Sequence, residues 1–119
     1  MARDCIFCGI IAGEAPADVV YRDDAVIAFK DIMPRAPVHI LIVPLEHIPS
    51  VNDLEERHAE TVWRMFRAAQ TVAEKQGVKS TGYRLVINTG PDSGQVVFHL
   101  HMHLLGGAPL GPFGAYRRV

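Results

Sequence analysis

Three histidines stand at alternate positions near the end of this chain, in the segment Phe98-His99-Leu100-His101-Met102-His103-Leu104. Near neutral pH, imidazole can act as a metal ligand, a nucleophile or a general acid and base. In an extended strand alternate side chains share a face, so His99, His101 and His103 line one side and Leu100, Met102 and Leu104 the other. On a helix the same spacing would scatter the rings. Adjacent imidazoles repel when protonated, and each needs a hydrogen-bond partner when buried. Their grouping therefore points to metal ligation, nucleophilic catalysis, or both.

A second cluster opens the chain. Cys5-Ile6-Phe7-Cys8 has the spacing that lets two thiolates grip one tetrahedral Zn²⁺. Two more ligands are needed, and His47 with one of the three alternating histidines are the candidates. A redox role fits less well, because a redox CxxC follows a strand of a βαβ unit, whereas this one lies at the start. The loop before the histidine strand, Asn88-Thr89-Gly90-Pro91-Asp92-Ser93-Gly94-Gln95, is polar and glycine-bearing. Gly90 and Gly94 permit turns that aim backbone N–H groups at an anion. Such a loop beside a neutral imidazole suits a phosphate ester or phosphoanhydride.

These groups need a scaffold. Residues 5–12 form a helical turn or two, stopped by Gly13 and Pro16. Val19 to Tyr21 and Ala25 to Phe29 read as strands joined by a turn at Asp23-Asp24. Val38 to Pro44 is apolar almost throughout, which predicts a central strand buried on both faces. Asn52 or Asp53 caps a long helix, with Glu55 and Glu56 complementing its dipole. Leu54, Val62, Met65, Phe66, Ala69 and Val72 give it a helical period, and Gly77 ends it. Tyr83 to Asn88 and Val96 to Gly106 complete the strands. The pattern predicts an α+β fold with a mainly antiparallel sheet, one long helix and one short helix. His39 reads as a hydrogen-bonded structural histidine at a strand start or as a support for the catalytic face, His58 as solvent-exposed, and Trp63 as a core or interface residue.

The 119 residues fit a single domain, with 49% apolar and 21% charged residues. A net charge of −1 gives no overall field for nucleic acid or an anionic membrane. No apolar run reaches the ~20 residues that span a bilayer. The start, Met1-Ala2-Arg3-Asp4-Cys5, lacks the form of a secretory signal. A cytoplasmic setting with reduced thiols is expected.

The segment His99-Leu100-His101-Met102-His103-Leu104-Leu105 resembles the signature of the histidine triad family. The stretches Phe29–Ile48 and Tyr83–Gly107 resemble its nucleotide-binding and catalytic halves, closest to the Hint-like branch. The likeness runs from about Cys5 to Gly107, leaving 108–119 as a tail. The resemblance implies a five-stranded sheet, joined to its copy in a homodimer. It also implies hydrolysis of a P–N or P–O bond at the α-phosphate of a purine nucleotide such as an adenosine phosphoramidate. His101 would be the nucleophile, forming a nucleotidyl-histidine, with His103 on the phosphate. Asn88, Gly94, Gln95 and Val96 would serve the phosphate side, and Asp31 the ribose hydroxyls. Phe29 and Ile32, with Phe7 and Ile10, would line the purine slot. The zinc ligands would be Cys5, Cys8, His47 and His99, making the metal structural, and no organic cofactor is implied.

One departure bears on turnover. Members of that branch commonly carry a serine after Gly-Gln, placed to donate to the leaving group, and this chain has Val96. Valine cannot donate. Three alternatives stay open: a non-catalytic nucleotide-binding module, a zinc-dependent scaffold, and a dinucleoside polyphosphate hydrolase. In the tail, Arg117 and Arg118 are either a solvated terminus or a leaving-group contact.

Overall fold

The computed structural model describes residues 4–112, so the reading of Arg117 and Arg118 lies outside the described residues. Five strands form one antiparallel sheet: β1 (Val19–Arg22), β2 (Val26–Lys30), β3 (Val38–Pro44), β4 (Tyr83–Val86) and β5 (Met102–Gly106), in the order β1-β2-β3-β5-β4. A short helix, α1 (Ile6–Ile11), and a long one, α2 (Ala59–Lys75), complete the α+β architecture. The antiparallel pairing and the two helices match the expectation.

Sequence and packing agree most closely at β3. Ile40, Leu41, Ile42 and Val43 are all buried, alternating between two cores. Ile40 and Ile42 join Leu100, Met102 and Leu104 beneath α2. Leu41 and Val43 join Ile27, Phe29 and Phe7 on the opposite face, with Ile10 and Ile11 of α1 packed against them. α2 supplies Met65, Ala68, Ala69, Val72 and Ala73 to the first core. That spacing is one helical stripe. Each large apolar side chain so buried stabilises the fold by about 1.5–3 kcal/mol.

Helix α2 begins later than its sequence suggests. Ser50 caps a 3-10 turn over Val51–Asp53, accepting from the Asn52 N–H at 3.1 Å. A second 3-10 turn covers Glu56–His58, and only then does α2 start. Its end follows expectation. Gly77 adopts φ 76°, and the Val78 N–H reaches the Ala73 carbonyl at 2.9 Å. This is the Schellman closure, with glycine at the left-handed position.

Further expectations change. His58 is buried, not exposed: its Nδ1 accepts from the Glu55 N–H at 2.9 Å and its Nε2 donates to Glu46 at 3.2 Å. A histidine in a polar-looking helix start was drawn inward because it closes a capping box. Trp63 is 53% exposed, which narrows the core-or-interface expectation to its interface half. The last strand is shorter at its start. The ladder begins at Met102, and His99 and His101 precede it in extended chain. The alternation still separates the faces, because the segment is anchored elsewhere, by the Leu100 N–H on the Ile48 carbonyl at 2.6 Å. β4 likewise ends at Val86, before Asn88.

Candidate functional site

One face of the stretch that leads into β5 and opens it carries His99, His101 and His103, all buried. The first ring faces away from the other two in role. The Nε2 of His99 lies 2.8 Å from the Pro44 carbonyl, and a carbonyl only accepts, so Nε2 holds the proton and Nδ1 presents a bare lone pair. That lone pair meets Cys5 Sγ at 3.3 Å, Cys8 Sγ at 3.6 Å and His47 Nδ1 at 3.1 Å. Cys8 Sγ lies 3.3 Å from His47 Nδ1. The four donor atoms all lie within 4.8 Å of one another.

This set fits a tetrahedral ion. Zinc–ligand lengths of about 2.0 Å to nitrogen and about 2.3 Å to sulfur require donor separations of roughly 3.3–3.8 Å. A backbone carbonyl such as that of Pro44 is the kind of outer partner that would orient a ligating histidine. Two nitrogen lone pairs facing each other at 3.1 Å repel unless a proton or a cation lies between them. Without a metal, burial pushes the Cys8 thiol up to about 11. A bound cation reverses that preference, so binding releases protons.

His101 is held differently. Its Nδ1 donates to the His99 carbonyl at 2.7 Å, which leaves Nε2 as the bare nitrogen of the neutral ring. Burial lowers its proton affinity, so the ring is neutral at pH 7. Phe7 packs edge-on against it with centroids 5.1 Å apart.

His103 is held by His39. The Arg35 backbone N–H donates to His39 Nδ1 at 3.1 Å, so a neutral His39 carries its proton on Nε2. That nitrogen lies 2.9 Å from His103 Nδ1 and 3.4 Å from the Asp31 carboxylate. His39 thus donates to His103, whose own proton is left on Nε2. Burial is the main reason His103 falls to about 4 and His39 also falls. The two rings His101 and His103, with centroids 5.1 Å apart, therefore present one lone pair and one N–H. His39 is the buried, hydrogen-bonded histidine that its sequence position suggested, and its partner is His103. Its position at the start of β3, opposite β5, was the available signal.

His39, His101 and His103 titrate lower folded than unfolded, so the unfolded chain binds more protons below an ordinary histidine value of about 6.5. Stability is full above that pH and falls as pH drops toward 4. His103 alone accounts for on the order of 3 kcal/mol. Urea midpoints should fall between pH 7 and pH 4.5, and less so in H103Q. An unchanged midpoint would contradict the burial argument.

A cavity of about 560 Å³ opens over His101 and His103, within the range of about 300–1,000 Å³ that small-molecule sites occupy. Phe7, Ile10, Phe29 and Leu41 form an apolar wall. Asp31, Ile32, Arg35, Asn88, Gly94 and Val96 also line it. Ile32 is 92% exposed and Val96 83% exposed, so both sit at the mouth and not in the wall. Gln95 is brought near but not into the cavity. Its Oε1 accepts from the Gly90 N–H at 2.9 Å, and its Nε2 donates to the carbonyls of Pro49 and Val97 at 3.0 and 3.1 Å. The side chain shapes the loop, with Gly94 left-handed at φ 94°.

Comparison with known proteins decides the family. The HIT domain matches residues 12–110. The chain belongs to the HIT domain family. It is 51% identical to the purine nucleoside phosphoramidase of Escherichia coli (strain K12) over 117 residues, 98% of each chain. It is 45% identical to a 14 kDa zinc-binding protein of Brassica juncea over 106 residues, covering 87% of this chain and 93% of that one. Among solved structures, a HIT family hydrolase from Clostridium thermocellum superposes with TM-score 0.91 at 49% identity, covering 94% and 97% of the two chains. The HIT fold and the antiparallel sheet are thereby shared with an experimental structure. Among the described residues no helix is long and apolar enough to cross a membrane.

Proposed function

We propose that this HIT domain chain is a purine nucleotide hydrolase of the phosphoramidase type, cleaving a P–N or P–O bond at the α-phosphate. The observation that carries the reading is the His101 ring, tied by Nδ1 to the His99 carbonyl at 2.7 Å and lining the cavity with His103. The similarity to a purine nucleoside phosphoramidase supports the substrate class.

The base enters the apolar slot formed by Phe7, Ile10, Phe29 and Leu41, with Ile32 at its mouth. Asp31 accepts from the ribose hydroxyls. Asn88, with the backbone of Gly94 and Gln95, holds the α-phosphate, and the His103 Nε2–H donates to one of its oxygens. His101 Nε2 gives its lone pair to phosphorus. The P–N bond breaks, and the amine departs with a proton drawn from water, since Val96 offers none. Water then attacks the phosphorus of the nucleotidyl-histidine. The P–Nε2 bond breaks, a proton is lost to solvent, and AMP and neutral His101 are regenerated.

Cys5, Cys8, His47 and His99 would hold a structural Zn²⁺, tying the start of α1 to the segment that carries His101. The donor distances support this, as does the likeness to a zinc-binding relative. The reading includes one domain centred on residues 5–107 and a cytoplasmic setting that keeps the two thiols reduced. It also includes a homodimer. Edge strand β4 and the exposed Trp63 and Phe66 of α2 support the dimer.

Mass spectrometry of protein quenched during incubation with adenosine 5′-phosphoramidate tests the reading. An AMP-sized adduct on His101 together with free AMP is expected. Nucleotide binding with neither adduct nor AMP would favour the second reading, a binding module without turnover, to which Val96 points.

A further inference from the structure

Phe7 belongs to two clusters at once. In the chain it stands between Cys5 and Cys8, whose sulfurs gather with His47 and His99. Its ring is buried and packs edge-on against His101, Phe29 and His99, with centroids 5.1, 5.5 and 5.9 Å away. The same ring is part of the cavity wall, beside Ile6 and Ile10. The stretch from Cys5 to Ile10 thus offers two donors to a metal and three apolar side chains to the cavity.

The start of α1 depends on those donors. Six residues are too few for a helix to hold its shape alone. The far end is held by Ile10 and Ile11 against the core and by Arg22, which donates to the Ile11 carbonyl at 3.2 Å. At the near end the Cys8 N–H donates to the Cys5 sulfur, at 3.3 Å. A cation joining Cys5 and Cys8 to His47 and His99 would fix the backbone on both sides of Phe7. The wall that meets the purine is then ordered before the nucleotide arrives, so binding no longer carries that ordering cost. A purine seated on Phe7 would in turn hold the two thiols at the metal.

We infer that Phe7 is a positioning residue that couples the metal to the nucleotide, each ligand tightening the other through this one ring. This rests on the nucleotide and zinc assignments proposed above. The test measures both affinities on the full chain, for wild type and F7L. AMP is titrated calorimetrically into zinc-loaded and zinc-stripped protein, and zinc is competed with a chelator with and without saturating AMP. Wild type should bind AMP about tenfold more tightly when loaded, and AMP should tighten zinc by the same factor, because coupling between binding sites is reciprocal. In F7L both factors should fall to about one while zinc and AMP still bind. A Phe7 that served packing alone would weaken the ligands without removing the coupling. Wild-type factors near one, or tenfold factors that survive in F7L, overturn the inference and leave both assignments standing. Wild type that binds no AMP, or no zinc, overturns it together with that assignment. If circular dichroism finds the stripped chain unfolded, zinc release from loaded protein to excess chelator replaces the affinities. Saturating AMP should then slow release about tenfold in wild type and leave it unchanged in F7L. Equal slowing in both proteins, or none in wild type, overturns the inference.

Discussion

Replacing His101 with alanine is expected to abolish hydrolysis of adenosine 5′-phosphoramidate, lowering kcat by about 10⁴-fold or more, as removal of a covalent nucleophile does. Nucleotide affinity should hold far better, because the apolar wall and Asp31 do not depend on that ring. The ring is buried and edge-packed on Phe7, so its loss also leaves a cavity. Circular dichroism and a urea midpoint must therefore accompany the kinetics. A folded H101A protein that retains more than a tenth of wild-type kcat would sink the covalent route. His101→Asn separates the two effects, since it fills much of the ring's volume and can still donate to the His99 carbonyl.

The second large effect concerns the metal. Purified protein should contain about one zinc per chain. Chelation should then lower Tm by roughly 15 °C, because a ligand held at 1,000 times its Kd stabilises a fold by about 4 kcal/mol and each kcal/mol moves Tm by about 4 °C at this size. Cys5→Ser should reproduce the loss without a chelator. The region that loosens is predictable. Cys5 and Cys8 bracket the start of α1, His47 sits in the loop after β3, and His99 precedes β5. Hydrogen exchange should rise at residues 5–11 and 45–50 while the α2–sheet core stays protected. A metal-free protein with unchanged Tm and exchange would show that the four donors are a hydrogen-bonded cluster only. The affinity should weaken in acid, since both thiols and both imidazoles must be deprotonated to ligate.

Both expected results depend on one strand face, and that face was legible in the sequence. Period-two alternation over His99–Leu104 separated a polar side from an apolar side, and burial of Leu100, Met102 and Leu104 beneath α2 follows that division. The Cys5–Cys8 spacing, the doubly buried β3 and the Gly77 helix stop were local patterns too, so they were read directly. The misplaced features share a different cause. His58 and Ser50 are set by capping geometry across two 3-10 turns. The start of β5 is set by where its partners β3 and β4 stop pairing. Neither is encoded in the periodicity of its own segment.

By itself the sequence determined the fold class, the two clusters of ligand-type and nucleophile-type residues, and the family. Tertiary structure alone supplied the partners that fix which nitrogen of each buried imidazole is free. The Pro44 carbonyl sits 55 positions from His99, and His39 sits 64 positions from His103, yet these contacts assign the tautomers of those rings. It also turned the Gln95 side chain into the loop. The physical reason is that a ring nitrogen's role is set by the partner on its other nitrogen, and that partner is delivered by sheet pairing and loop packing across the whole chain.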